Sequence, residues 1–276
     1  MLNCMLFNYW VIICGVDSTL LDSVTVVVPT LNEVEGIGLV LDELLGIGVP
    51  RERILVVDGG STDGTVDVVR RYGVRVVRQE GRGKADAIWT ALKHVNTPYM
   101  LVMDGDYSYP AKYVPVLIEE ITSTGADEVI GIRVPQPGSQ GFVYRLGNRL
   151  LTWAFNLLFS TRLHDVLSGM YIIRTESLRD AVMEVGDFSI EAQIVAHMVS
   201  TGKTVREVPI EYRPRVGRKK LSVFDGAKIF MDMAILTTRY NPMLILFLLG
   251  SLLLIPGLAL GATLVIGTYS TALSTT

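Results

Sequence analysis

Asp104 and Asp106, at the end of the run Tyr99-Met100-Leu101-Val102-Met103-Asp104-Gly105-Asp106, are the densest candidate chemistry in this sequence. Two carboxylates this close in a cleft resist joint ionisation unless a cation lies between or beside them. A hard divalent ion with oxygen ligands, Mg²⁺ or Mn²⁺, answers that need, with phosphate oxygens completing its shell. Gly105 is expected to keep the backbone open to a bulky ligand. An isolated Asp-x-Asp is equally a solvated surface turn, so the pair takes its meaning from the rest of the chain.

Those side chains need a frame. Val24-Thr25-Val26-Val27-Val28 is β-branched throughout and ends at Pro29, the pattern of a strand buried on both faces. Pro29-Thr30-Leu31-Asn32-Glu33 then leads into a helix over about Val34–Leu45. A second strand, Ile54–Val57, runs into Asp58-Gly59-Gly60-Ser61-Thr62-Asp63-Gly64-Thr65, rich in residues that cap helices or take positive φ. A helix over Val66–Tyr72, a strand over Val74–Val77, the loop Gly81-Arg82-Gly83-Lys84 and a helix to His94 come next. Tyr99–Val102 is the strand that delivers the aspartates. Strands alternating with helices imply a parallel, doubly wound α/β sheet with its ligand at the carboxyl edge. Further on, a helix over Val114–Thr122, a strand over Glu128–Gly131 and helices over Arg145–Ser160 and Ile190–Ser200 are expected, with a strand or strand pair over Val205–Tyr212. Trp153, Arg145 and Arg149 suit a helix lying at a membrane interface, and core packing explains its apolar residues equally well.

The bulk numbers narrow the classes. The chain has 276 residues, a formal net charge of −3 and 49% hydrophobic residues, with a mean hydropathy of +0.39. The charge balance gives a nucleic-acid partner no support. No charged residue occurs from Pro242 to Thr276, and that run exceeds the roughly 20 residues a helix needs to cross a bilayer. Pro256 within it is tolerated in a membrane helix as a kink. Arg206, Arg213, Arg215, Arg218, Lys219 and Lys220 precede the apolar run, and positive flanks stay cytoplasmic. The resulting plan is an N-terminal extension of unassigned role (1–22), a catalytic domain (23–221), an amphipathic juxtamembrane helix (222–240) and a transmembrane segment (241–276). Leu2–Val16 is apolar but lacks the positive start and cleavage site of a signal peptide. Cys4 and Cys14 lie in that extension, and no structural disulfide is needed. His94, His164 and His197 have no metal-ligand spacing.

Taken in order, Pro29-Thr30-Leu31-Asn32-Glu33, the Asp58–Thr65 loop, Gly81-Arg82-Gly83-Lys84 and Asp104-Gly105-Asp106 resemble the family-two glycosyltransferases of the GT-A fold. That fold is Rossmann-like, a mostly parallel sheet flanked by helices. Gly131-Ile132-Arg133, Asp165-Val166-Leu167-Ser168-Gly169-Met170 and Arg215-Val216-Gly217-Arg218-Lys219-Lys220-Leu221 resemble its polyprenyl-phosphate branch, typified by dolichyl-phosphate mannose synthase. The resemblance implies a nucleoside pocket at Pro29, Leu31 and Glu33, with Val57 and Asp58 beside the base. It implies Lys84 facing the diphosphate and a metal, Mg²⁺ or Mn²⁺, on Asp104 and Asp106, with Gly105 between them in the donor site. Arg133 would lie between donor and acceptor phosphates, with Arg145 and Arg149 toward the lipid phosphate. Arg215 and Lys220 would belong to a loop closing over the diphosphate, and Asp104, Asp106, Arg133 and Arg215 would carry catalysis.

The implied reaction moves a hexose from a nucleotide-sugar to dolichyl or polyprenyl phosphate at the cytoplasmic face of the cell membrane. A phosphate acceptor is already anionic near neutral pH, so direct displacement with inversion needs no general base. Gly59 stands where many relatives carry a second aspartate, and Ser108 replaces a glutamine that assists the metal. These departures leave GDP-mannose, UDP-glucose and UDP-N-acetylhexosamine open as donors. Glu191 is placed near the sugar or in a capping or surface role. A processive polysaccharide synthase and a non-catalytic nucleotide-sugar binding protein are the competing readings. An oxidoreductase is excluded because no Gly-x-Gly-x-x-Gly follows the first strand.

Overall fold

The computed structural model describes residues 18–181, 190–217, 229–231, 235, 237–238 and 240–274. Residues 1–17 and 182–189 and the predicted site residue Lys220 lie outside them. Of the predicted amphipathic helix over 222–239, residues 229–231, 235 and 237–238 are described, and they are helical.

Seven strands form one sheet in the order β3-β2-β1-β4-β6-β5-β7. They span Val24–Thr30 (β1), Ile54–Asp58 (β2), Arg75–Arg78 (β3), Tyr99–Val102 (β4), Glu128–Pro135 (β5), Tyr171–Arg174 (β6) and Val205–Tyr212 (β7). The main helices are α1 (Ser18–Asp22), α2 (Val34–Gly46), α3 (Thr65–Arg71), α4 (Gly83–His94), α5 (Val114–Thr124), α6 (Phe142–Phe159), α7 (Thr175–Arg179), α8 (Ile190–Ser200) and α9 (Pro242–Ser274). β1 shows why the sheet is central. Val24, Val26 and Val28 pack with α2 and α5 on one face, while Val27 packs with α4 and α8 on the other.

The sheet is mostly parallel, as the resemblance implies, and the plain alternation of strands and helices fails to reveal one reversal, at β6. This strand is antiparallel to both β4 and β5, whereas β1–β2, β1–β4, β2–β3 and β5–β7 are parallel. Its run of four residues is too short to carry a periodicity of its own. The reversal matters for the site. Tyr171 pairs with Val102, so the loop entering β6 arrives at the edge where β4 ends. β5 and β7 also run their carboxyl ends to that edge, so residues 131–133 and 212–216 meet there.

α6 resolves its two sequence readings by face. Leu151, Phe155 and Phe159 are buried, while Phe142, Leu146, Leu150, Trp153 and Leu157 are 56–72% exposed at helical spacing. α9 is the one helix among the described residues long and apolar enough to cross a membrane, and its Leu249–Ile266 window is unburied. Asn241 Nδ2, just before α9, donates to Leu158 O near the end of α6 at 3.0 Å.

Candidate active site

The loop after β4 is packed before it is anything else. A Cβ on Gly105 would lie 2.7 Å from Thr30 Cγ2, and one on Gly36 would lie 2.8 Å from Gly105 O. Gly105 therefore fits the loop against β1 and α2, rather than chiefly opening it to a ligand as its sequence context suggests. Tyr107 follows in the left-handed region at φ 66°, an uncommon conformation for a bulky residue. Ser108 turns back on Asp106, its N–H and Oγ donating to Oδ1 at 3.0 and 2.5 Å. Burial, and then the negative charge of Asp104, push the Asp106 carboxyl above its ordinary range. A Cβ on Gly169, in the loop entering β6, would overlap the Asp104 carboxylate. The antiparallel strand thus needs a glycine at that point to seat the aspartate.

Two cations face these carboxylates. Lys84, in the first turn of α4, holds Asp104 Oδ1 at 2.5 Å and Glu191 Oε1 at 2.6 Å. Burial by itself would lower its ammonium, but Asp104 and Glu191 outweigh burial and hold it well above the ordinary lysine value. Arg215 donates through Nη2 to Glu33 Oε1 at 2.7 Å and lies 3.3 Å from Asp106 Oδ2. Its Nε is buried, with no hydrogen-bond partner among the described residues. Backbone bonds carry Arg215 there: Arg213 N donates to Ser108 O at 2.9 Å and Val216 N to Asp106 O at 3.0 Å.

Arg133 on β5 is fixed more firmly. Its Nε and Nη2 donate to the two oxygens of Asp165, each at 2.7 Å, the bidentate geometry that guanidinium and carboxylate favour. Nη2 also donates to Asn148 Oδ1 on α6 at 2.9 Å, and Asn148 Nδ2 donates to Asp165 Oδ1 at 3.0 Å, closing a ring. Burial would lower the Arg133 guanidinium and raise the Asp165 carboxyl; their mutual attraction reverses both directions. Glu207 on β7 supports the loop by accepting from His164 N and Asp165 N at 2.7 and 3.1 Å. The guanidinium carbon lies 5.6 Å from the centre of the Tyr212 ring.

These groups surround one cavity of about 750 Å³. Pro29, Leu31, Glu33, Lys84, Asp104, Gly105, Asp106, Arg133 and Arg215 all line it, as the sequence reading places them. Val57 and Asp58 do not. Val57 is wholly buried, and Asp58 Oδ2 accepts from Gly60 N at 2.8 Å and Ser61 N at 3.0 Å, shaping the loop beneath. Arg145 and Arg149 are exposed and outside the lining, because α6 turns Tyr144, Gly147, Asn148 and Leu151 inward. Asn148, Tyr109 and Tyr212 join the wall without a role assigned from sequence, and Glu191 lines it as well, paired with Lys84. The gap left by Gly59 is partly filled: a Cβ there would come 3.2 Å from Gln79 Oε1, and Gln79 lines the cavity too. His164 is exposed and pairs with Glu207 at 2.8 Å, outside the lining. No cluster of three or more His, Cys, Asp or Glu exists among the described residues to form an all-protein metal cage.

Comparison with known proteins gives a consistent set. Residues 25–181 match the description Glycosyl transferase family 2. Glycosyltransferase AglJ of Haloferax volcanii is 34% identical over 236 residues, covering 83% of this chain and 76% of that protein. The dolichyl-phosphate hexose transferase of the same organism is 32% identical over 207 residues, covering 74% and 89%. The crystal structure of glucosyl-3-phosphoglycerate synthase from Mycobacterium tuberculosis with Mn²⁺ and UDP-glucose superposes with a TM-score of 0.66. It is 25% identical and the match covers 82% of this chain and 84% of that one.

Proposed function

The chain belongs to glycosyl transferase family 2 and is a glycosyltransferase, and from that premise we propose that it transfers a hexose from a nucleotide-sugar to dolichyl or another polyprenyl phosphate. The observation that carries the reading is the convergence of Lys84, Arg133 and Arg215 with Asp104 and Asp106 on one cavity. A nucleoside diphosphate and a phosphate acceptor repel each other, and a cavity holding both needs fixed cations.

The residues fit a hard dication. Two neighbouring carboxylates, one with its pKa raised by burial and then by the charge of the other, would supply oxygen ligands to such an ion. Mg²⁺ or Mn²⁺ held by Asp104 and Asp106 would neutralise charge developing on the departing diphosphate. The protein's own groups do the rest. Lys84 and Arg215 face the diphosphate, and Pro29, Leu31 and Glu33 border the nucleoside. Asp165 and Asn148 engage Nε and Nη2 of Arg133, leaving its Nη1 hydrogens to a phosphate oxygen. The acceptor phosphate attacks the anomeric carbon as an anion, the bond to the nucleoside diphosphate breaks, and configuration inverts.

The relative named for dolichyl-phosphate hexose transfer supports the lipid acceptor, and two apolar surfaces support a membrane setting. The exposed face of α6 and the unburied α9 would meet the bilayer with the catalytic domain (23–221) on its cytoplasmic side. In that setting 222–240 is the juxtamembrane helix and 241–276 the membrane segment. Arg145 and Arg149 flank the apolar face of α6, where they can meet anionic headgroups or an incoming lipid phosphate.

The test is transfer of radiolabelled sugar to dolichyl phosphate in detergent, with GDP-mannose, UDP-glucose and UDP-N-acetylglucosamine in parallel, each with Mn²⁺ and with EDTA. One organic-soluble labelled product that requires the metal is expected, and it identifies the donor. Metal-dependent nucleotide binding without product from any donor would overturn the assignment in favour of a binding protein or another acceptor.

A further inference from the structure

Glu43 lies on α2, outside the cavity lining. Its carboxylate gathers three donors from two separate parts of the chain. Oε1 accepts from Tyr107 Oη at 2.9 Å and from Arg213 Nη1 at 2.7 Å, and Oε2 accepts from Ala111 N at 2.9 Å. The Arg213 guanidinium also sits 4.7 Å from the centre of the Tyr107 ring. Tyr107 belongs to the loop that carries Asp106, and Arg213 to the segment that carries Arg215. These two segments touch directly through Arg213 N to Ser108 O and Val216 N to Asp106 O.

The arrangement has a mechanical consequence. Tyr107 holds a left-handed φ of 66°, a strained conformation for a bulky L-residue that persists only where neighbours hold it. Arg213 would be a partly buried charge without its carboxylate. One anion satisfies both, and in doing so fixes the spacing between Asp106 and Arg215. We infer that Glu43 is a positioning residue that clamps the Asp104–Ser108 loop to the Arg213–Val216 segment, so that Asp106 and Arg215 are presented to the diphosphate as one unit. This rests on the reading of Asp106 and Arg215 given above.

The experiment uses the full chain in detergent, with Mn²⁺ as the varied ligand, UDP and GDP as nucleotide probes and dolichyl phosphate as acceptor. Glu43→Ala is expected to lower kcat at least tenfold and raise half-saturating Mn²⁺ severalfold, with the KM for dolichyl phosphate within twofold of wild type. Glu43→Gln, whose one carbonyl oxygen can still accept from Tyr107 and Arg213 but which lacks the charge and the second acceptor for Ala111 N, should recover only part of the loss. Adding Arg215→Ala to Glu43→Ala should cost much less than Arg215→Ala costs alone, because the clamp and its cargo act together. Calorimetric Mn²⁺-dependent binding of UDP or GDP follows the same order. Should Glu43→Ala fail to fold, Arg213→Ala replaces it in the cycle.

Losses that simply multiply, or unchanged kcat and Mn²⁺ requirement in Glu43→Ala, overturn the clamp. Wild-type turnover in Asp106→Ala would instead overturn the site reading itself. An inactive Asp106→Ala beside a wild-type-like Glu43→Ala removes only the role of Glu43.

Discussion

The two halves of the cavity wall are assembled differently. On the β1–β4 side, Pro29, Leu31, Glu33, Asp104, Gly105 and Asp106 lie on or just beyond strands whose parallel direction sends them to one edge. On the β5–β7 side the wall takes Arg133 from a strand, Asn148 from a helix and Tyr212 and Arg215 from the end of another strand, with Asp165 on a loop behind. The first half is placed by backbone direction, and the second by side chains that hold one another. A substitution in the first half should therefore remove a chemical group and leave the frame, whereas one in the second should move its neighbours too.

Asp106→Ala breaks the comparison most sharply. Transfer is expected to fall by at least about 100-fold, the scale seen when a preorganised electrostatic contact is lost. Metal-dependent nucleotide binding should weaken in parallel while thermal unfolding stays close to wild type. A large drop in Tm would show that the loop is framework as well as chemistry.

Asp165→Asn probes the other half with a smaller effect on turnover and a larger one on the fold. It leaves the buried Arg133 guanidinium without its counter-charge, and breaking a buried pair typically costs about 3–5 kcal/mol. We expect kcat/KM for dolichyl phosphate to fall about tenfold to 100-fold, with Mn²⁺-dependent nucleotide binding within twofold and a lower Tm. Arg145→Ala, at an exposed position, should change acceptor use severalfold at most. Equal losses in Asp165→Asn and Arg145→Ala would assign the acceptor to the outer arginines instead of the inner one.

Glu128→Gln has the smallest expected effect on turnover and a pH signature of its own. Burial lifts the Glu128 carboxyl from 4.5 to about 8, and its Oε2 has no hydrogen-bond partner among the described residues. The native state therefore keeps a proton that the unfolded chain has released between those values. Stability should decline as pH rises from about 5 to 8, by at most about 1.4 kcal/mol per pH unit, and the slope should vanish below the unfolded pKa. Unfolding by urea across that range should show the decline in the wild type and a flatter profile in Glu128→Gln. Parallel profiles would mean that Glu128 does not hold its proton in the native state.

How much was legible follows the same division. The strand-end motifs around Glu33, Lys84 and Asp104 could be read because a short apolar run followed by a loop fixes position locally. β6 could not, since Tyr171–Arg174 is four residues long and its direction depends on a return through α6 and a loop. Arg133 was legible as a residue, but its lock was not: Asn148 and Asp165 are 15 and 32 positions away, and no periodicity links such separations. Arg145 and Arg149 were placed toward the lipid phosphate by the family resemblance, and the helical turn of α6 carries them to a face outside the cavity lining. Glu43 gave no signal, because a single acid on an amphipathic helix reads as a solvated position.

The sequence by itself determined the α/β frame, the sheet edge at which the cavity lies, the family and most of the charged groups at the β1–β4 side. Hydrophobic runs and loop motifs are local, and parallel strands convert local order directly into a shared edge. Tertiary structure alone decided which side chains neutralise which: Lys84 between Asp104 and Glu191, Arg215 on Glu33, Arg133 on Asp165. It also turned Gly105 and Gly169 into packing requirements. Those outcomes depend on distances between segments far apart in the chain, which are set only when the whole sheet closes its core.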